Sequence, residues 1–432
     1  MVDVSTLEIS LSVAVVFFLF FTGTPILLCI AGWVAFASYF LVDFPLVNMS
    51  IVSTEAVKSF VFLAVPLFVA TGDFLTEGGI SRLLVNFARS LVSWMPGSTA
   101  ATAMVSSGLF AAVSGSNSAT AATMGRLLGP VMMERGISRP LAAAMVAAGG
   151  TVGVIIPPSV IFLIYGITLD VPSVDLFVGG VIPGIIMVIF LVGWAVMLTG
   201  KTDPSAGLSS FKPLEVMRTA AVAWPGFLAI GIIFFGLFWG YFSPTEAAGV
   251  VTLYCGLAGF LFSRELKLAR VPSILMQSAS ITGIVVPMVV FSVQLQQVFS
   301  VMGVSDAIQN FLTSFASGHG RWAAVVVMML IILAIGALTE SIAVVLILGP
   351  VFAPVAESIG FDRIHWGVIF VVGTTIGFIT PPYGLNLFVV SAVLDVPYGQ
   401  VCRAVLQLLA PLMLAWIIII LLPWTALALL GQ

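Results

Sequence analysis

Gly153-Val154-Ile155-Ile156-Pro157-Pro158 is matched 224 residues later by Gly377-Phe378-Ile379-Thr380-Pro381-Pro382. Each hexapeptide lies inside an apolar run long enough to cross a bilayer, and each must interrupt it. Proline removes an amide and frees the carbonyl four residues back, and glycine lets the chain bend and approach a neighbour closely. Irregular backbone at membrane depth is tolerated only where it is buried in protein or lines a cavity. Two such breaks, placed alike in two parts of one chain, point to a duplicated membrane protein with a polar interior.

Four further pairs keep the same order. Val65-Pro66 recurs as Val286-Pro287, and Gly79-Ile80-Ser81 as Gly303-Val304-Ser305. Gly129-Pro130-Val131 recurs as Gly349-Pro350-Val351, and Leu169-Asp170-Val171-Pro172 as Leu394-Asp395-Val396-Pro397. The offsets stay between 220 and 225, so two repeats are expected, 1–215 and 216–432.

Composition agrees with a lipid solvent. Hydrophobic residues make up 60% of the chain and charged ones 8%, with mean hydropathy +1.22, whereas soluble chains carry about 25% charged residues. The long apolar runs favour helices over the short alternating strands of a barrel. Spans are expected at 6–22, 23–42, 57–77, 139–170, 174–199, 217–240, 245–263, 273–301, 364–394 and 398–430. The fold class is therefore an all-α polytopic membrane protein of about ten to eleven transmembrane helices. Residues 98–135 and 319–358 are apolar, too long for one helix, and interrupted at Ser114–Ser118 and Gly336–Ser341. They read as re-entrant hairpins, each preceded by an amphipathic interfacial segment, Gly78–Trp94 and Val301–Phe315. Five spans and one hairpin per half make the second half enter from the opposite face, an inverted-topology repeat of the kind common in secondary transporters. This layout puts twelve of the fifteen basic residues on one face, with Lys58, Arg321 and Arg363 on the other. The richer face is then cytoplasmic, and both termini lie outside. No basic residue precedes the first apolar run, which argues against a cleaved signal peptide.

The two tips and two breaks are where chemistry is expected. Their carbonyls and hydroxyls suit a hard monovalent cation such as sodium. One cage would draw on Ser114, Ser116, Asn117, Gly149, Thr151, Gly153 and Pro157. The other would draw on Gly336, Thr339, Glu340, Gly373, Thr374, Thr375, Gly377 and Pro381. Between the tips, half-helix N-termini offer free amides and partial positive charge to an anionic group. Ser116, Asn117, Ser118, Ser159, Tyr383 and Asn386 are candidates to bind such a substrate. Glu340 can ligate a cation, cap a helix or carry a proton, its nearest counterpart in the first half being a small residue near Ser118–Ala119. Ser243-Pro244-Thr245-Glu246 reads as a helix N-cap. The cysteines Cys29, Cys255 and Cys402 read as unpaired space-fillers. No nucleotide, hydrolase or metalloprotease motif is present, so neither catalysis nor ATP hydrolysis is expected. No cofactor is implied beyond coupling sodium ions, and no basic tract suggests nucleic acid.

Ser114-Gly115-Ser116-Asn117-Ser118-Ala119-Thr120, Gly129-Pro130 and Gly153 to Ser159 together resemble the large membrane (M) subunit of TRAP, or tripartite ATP-independent periplasmic, transporters. Phe242-Ser243-Pro244-Thr245-Glu246-Ala247-Ala248-Gly249 and Gly377 to Gly384 resemble the same family. The likeness runs over nearly the whole chain. Asn117 stands where many relatives have serine, and Glu340 where many have aspartate. The resemblance implies an elevator mechanism, a small membrane (Q) subunit, a periplasmic substrate-binding (P) protein and a bacterial inner membrane. It implies carboxylate substrates such as C4-dicarboxylates or sialic acids. A standalone ion-coupled carboxylate symporter of the same architecture is the alternative, and a membrane scaffold or channel without coupled transport a further one.

Overall fold

The computed structural model describes residues 22–42, 63–202 and 210–431, with isolated positions between 14 and 58. Most of the expected first span, 6–22, and most of the start of the third lie outside the described residues. Every regular element among them is helical. We number them α1 (Ile26–Phe36, continued by a π-turn to Leu41), α2 (Ala64–Glu77), α3 (Ile80–Val92), α4 (Ser98–Ser114), α5 (Asn117–Glu134), α6 (Arg139–Thr151), α7 (Val160–Leu169) and α8 (Ser173–Thr199). There follow α9 (Pro213–Val222), α10 (Trp224–Phe238), α11 (Pro244–Leu261), α12 (Val271–Val301), α13 (Val304–His319), α14 (Arg321–Gly336), α15 (Ser341–Ser358), α16 (Arg363–Gly377), α17 (Leu385–Leu394) and α18 (Tyr398–Leu421).

From α2 to α8 and again from α12 to α18 the same series of elements runs twice. Gly79 and Gly303 begin α3 and α13 at φ 73° and 69°, and Asp170 and Asp395 end α7 and α17 at φ 53° and 50°. Both Pro-Pro bonds, 157–158 and 381–382, are cis. Helices α5 and α15 start and end 224 residues apart, which sets Pro130 opposite Pro354. The sequence pairing of Gly129-Pro130 with Gly349-Pro350 is thus one helical turn out of register. It also moves the counterpart of Glu340: as the residue before α15 it matches Ser116, the residue before α5, and not Ser118–Ala119.

The expected span 217–240 is two helices, α9 and α10, bent by 70°. Glu215 and Arg218 put charge on α9, it buries no residue, and Pro225 in the first turn of α10 starts a new helix. Among the described residues four helices are long and apolar enough to cross a membrane, or five with the bent pair as one. One of the four is the hairpin arm α15, and the broken helices are not counted because their pieces, such as Val160–Leu169 and Leu385–Leu394, are too short to pass alone. Ser243 and Glu246 form the expected cap at α11: the Ser243 amide donates to Glu246 Oε2 at 2.8 Å, and the Glu246 amide to Ser243 Oγ at 3.3 Å.

The packing crosses between halves. Helix α7 lies on α15, α17 on α5, and α18 on α6. Two arginines seal the exchange. Arg139 at the start of α6 donates to the Leu394 carbonyl at the end of α17 (3.3 Å), and Arg363 at the start of α16 donates to the Leu169 carbonyl at the end of α7 (3.1 Å). A cation at a helix C-terminus is the favourable sign. Outside this block, α2, α11 and α12 form a wall: Thr71 meets Thr252 at 2.7 Å, and the Ser278 hydroxyl donates to the Pro66 carbonyl.

Candidate functional site: two hairpin tips on one chamber

At the first tip the chain leaves α4 at Ser114, reverses through Gly115 (φ +61°) and enters α5 after an extended Ser116. Glycine is needed here twice over. The left-handed backbone disfavours a side chain, and a Cβ would stand 2.7 Å from the Pro158 carbonyl oxygen. The tip is docked on the first break: the Val160 amide donates to the Gly115 carbonyl at 3.4 Å. Gly153 lies so close that a Cβ would sit 2.7 Å from both the Ser116 carbonyl oxygen and Thr120 Oγ1. Ser114 Oγ meets Thr120 Oγ1 at 3.0 Å, and Thr120 donates to the Ser116 carbonyl at 2.8 Å. Two oxygens thus crowd Gly153, with Ser114 Oγ bonded to one of them and Gly149 nearby, packed on Ser107. Pro157 lies in the buried break itself.

The second tip is built alike. Gly336 and Gly377 touch backbone to backbone; a Cβ on Gly377 would lie 2.8 Å from the Gly336 Cα. The Tyr383 amide donates to the Ala337 carbonyl at 3.1 Å, and Ser341 Oγ to the Thr374 carbonyl at 3.4 Å. Gly373 packs against the Trp416 ring, and Pro381 sits at the cis bond that follows the break. The hydroxyls of Thr151, Thr339, Thr374 and Thr375 donate to carbonyls of their own helices at 2.6–3.1 Å. That satisfies their protons and leaves oxygen lone pairs available to a cation.

Both tips open on one cavity of about 80 Å³. Gly115 to Ser118 line it from α5, and Glu340 to Ile342 from α15; Val154, Val160, Ile161 and Phe378 of the breaks close its sides. Val65 and Val69 of α2, with Ile281 and Val285 of α12, form an apolar outer wall. Space of this size takes a few waters or one carboxylate group. Two helix N-termini therefore bring free amides to the same small chamber. Asn117 is 4% exposed, and neither atom of its amide group has a hydrogen-bond partner. Glu340, half-buried at the chamber, makes no side-chain cap and no ion pair among the described residues. Leaving a buried polar group unpaired costs about 1–3 kcal/mol, a cost that a polar ligand in the chamber would offset.

Of the expected substrate contacts, Ser116, Asn117 and Ser118 line the chamber and the other three do not. Ser159 caps α7, accepting from the Phe162 amide at 3.1 Å. The Tyr383 ring is exposed beside Phe388. Asn386 is buried and donates to the Ala147 carbonyl at 3.4 Å. Thr120 and Ser341 also stand at the tips, though neither was among the expected site residues. Thr120 follows its tip by one turn, at the i+4 position that back-bonds to Ser116, and that spacing was the available signal.

A family model for the tripartite ATP-independent periplasmic transporter DctM component matches residues 13–425. This chain belongs to that family. It is 34% identical over 383 residues to the C4-dicarboxylate TRAP transporter large permease protein DctM of Pseudomonas aeruginosa, covering 88% of this chain and 89% of that one. It is 31% identical over 375 residues to the isethionate TRAP transporter permease protein DctMQ of Oleidesulfovibrio alaskensis, covering 87% of this chain and 59% of the relative. Among solved structures, Neisseria gonorrhoeae MtrF, described as one of a class of antimetabolite efflux pumps, superposes with a TM-score of 0.59 at 16% identity, over 87% of this chain and 83% of that one. That likeness is one of fold. The TRAP large subunit is a multi-pass membrane permease and not an enzyme, in line with the absence of catalytic motifs.

Proposed function

We propose that this chain is the large permease subunit of a sodium-coupled TRAP transporter that imports a small organic acid across the bacterial inner membrane. The observation that carries the reading is the shared chamber, where two half-helix N-termini, an unpartnered Asn117 amide and an unpaired Glu340 face one another. An anionic group suits the paired N-termini. Sodium suits the oxygens gathered at Gly153 and at Gly377, one ion behind each tip. Binding the cation beside the anion offsets charge that neither could bring into the membrane interior alone.

Movement follows from the packing. The tips and breaks are tied to each other by close glycine contacts and backbone hydrogen bonds, and the cross-half arginines bind the two sets into one block. What this block meets across the chamber is the apolar face of α2 and α12; beyond the chamber, Thr76 of α2 meets Thr123 of α5 at a long 3.4 Å. A block tightly bonded within and only weakly bonded to this wall can slide as a unit, which is the elevator mechanism. The two series of elements then act as inverted repeats, 1–215 and 216–432, facing opposite sides. The C4-dicarboxylate and isethionate named for the relatives are both small organic anions, and carboxylates, sialic acids included, are the proposed substrate class. The partners are a periplasmic binding protein and a small membrane subunit, the latter in keeping with the DctMQ name of the longer relative.

Uptake into proteoliposomes tests this. The chain with its small subunit should take up a C4-dicarboxylate or sialic acid only when the binding protein and an inward sodium gradient are both supplied. Uptake indifferent to both sinks the proposal, and uptake that needs sodium but not the binding protein replaces it with a standalone symporter.

A further inference from the structure

Away from the chamber, a second cavity of about 510 Å³ lies between α3 and α9, far roomier than the site at the tips. Neither helix spans. Helix α3 buries one face, with Leu84 packed against Gly226 and Phe87 edge-on to Phe227 at 4.9 Å. Helix α9 turns away from α10 by 70° and buries nothing. Ser90 Oγ and Thr219 Oγ1, 2.7 Å apart, join the two helices at the cavity. Exposed apolar residues surround them: Leu214, Met217 and Val222 on α9, and Trp94 at the end of α3, edge-on to Phe211 at 6.5 Å. Exposed apolar groups around a polar cleft, with tryptophan at the edge, mark a segment lying at the headgroup level of a bilayer.

The charge in the cleft is one-sided. Arg89, Lys212 and Arg218 line it against a single carboxylate, Glu215. Lys212 reaches Glu215 at 4.0 Å, whereas Arg89 and Arg218 have no ion pair or side-chain hydrogen bond among the described residues. The contrast within α3 is informative: Arg82, two turns earlier, is paired with Glu265 at 3.0 Å, so an unpaired Arg89 is not simply what that helix face imposes. The Ser90 and Thr219 hydroxyls are spent on each other and on carbonyls of their own helices, so the donors left free in the cleft are two guanidinium groups, whose paired N–H groups match the oxygens of a phosphodiester. The basic bias of this face places it at the cytoplasmic leaflet. We infer that the α3–α9 cleft is a binding site for the phosphate of an anionic phospholipid, whose acyl chains lie along the exposed apolar residues of α9.

The test uses the full chain in detergent micelles, with phosphatidylglycerol titrated in and bound lipid counted by native mass spectrometry. The comparison arms are phosphatidylcholine and inorganic phosphate at matched concentration. Each arginine near an anionic headgroup contributes about one kilocalorie per mole, so an R89Q/R218Q variant should bind phosphatidylglycerol about thirtyfold more weakly. An R135Q/R403Q variant, which removes the same charge from the same face outside the cleft, should bind as the parent does. The inference is overturned if both variants lose binding alike, if phosphatidylcholine binds as well as phosphatidylglycerol, or if inorganic phosphate alone competes at headgroup concentrations. It is equally overturned if R89Q/R218Q keeps its lipid but no longer assembles with the small subunit, which would make the cleft a protein interface. Retained melting temperature in R89Q/R218Q guards against misfolding, and the single R218Q variant, on the helix that buries nothing, is read if the double variant is unstable; it should bind about fivefold more weakly, and unchanged binding overturns the inference.

Discussion

Gly153→Ala probes the proposed first ion site without removing any oxygen from it. The Gly153 backbone lies outside the left-handed region, so alanine carries no conformational strain, and within helical turns alanine is favoured by up to about 1 kcal/mol. The added methyl group, however, would stand 2.7 Å from both the Ser116 carbonyl oxygen and Thr120 Oγ1. Relaxing to ordinary van der Waals contact means a shift of about 0.7 Å, from near 2.7 to near 3.4 Å. Hard cations hold oxygens within narrow distance limits, so a displacement of that size removes one of these oxygens from the shell, or both. A hydrogen bond or contact to a charged group contributes about 1.5–3 kcal/mol, and the half-saturating sodium concentration for uptake should rise about 10- to 150-fold. The assay is uptake against sodium concentration in proteoliposomes, with a thermal melt of the same preparation. Gly193→Ala on α8, where a Cβ meets nothing within 4 Å, serves as control and should change neither. An unchanged sodium dependence in Gly153→Ala, with its melting temperature preserved, would refute the placement of an ion against this glycine.

Glu340→Gln should leave the melting temperature unchanged or slightly higher, because an unpaired carboxylate leaves a half-buried site, while uptake falls more than tenfold. Asn117→Ala should stabilise the chain by about 1 kcal/mol in denaturant melts, since two unpartnered polar atoms disappear, and should raise the KM for the organic anion at least tenfold. Arg139→Gln and Arg363→Gln should each cost about 1–2 kcal/mol by the same melts, each losing a charged hydrogen bond to the other half, with little change in sodium affinity.

The breaks and tips were legible because their chemistry is local. Gly115, Pro157-Pro158 and Pro381-Pro382 cannot sit in a straight helix whatever surrounds them. The cap at Ser243 and Glu246 was legible for the same reason, as both partners lie within one turn. What was not legible depends on the other half of the molecule. Nothing in residues 160–169 says that they will lie on α15, and nothing near Arg139 names the Leu394 carbonyl as its partner. The register at Pro130 went astray because Pro350 and Pro354 stand one turn apart in α15, and only the helix start at Ser341 tells which one matches. Tyr383 and Asn386 were put at the substrate by proximity to the second break. In the fold Tyr383 turns outward and Asn386 faces α6, because the chain reverses at Gly384, with φ +46°.

The proposed coupling, an anion in the chamber with sodium behind each tip, can be tested directly by solvent access. In a chain whose three cysteines are replaced, a single cysteine at Ser118 or at Ile342, one from each tip, reports on the space between them. Sodium and the transported organic acid added together should slow thiol modification at both positions by tenfold or more, and either alone should do much less. Equal modification rates at both positions, with and without the pair, would contradict the account.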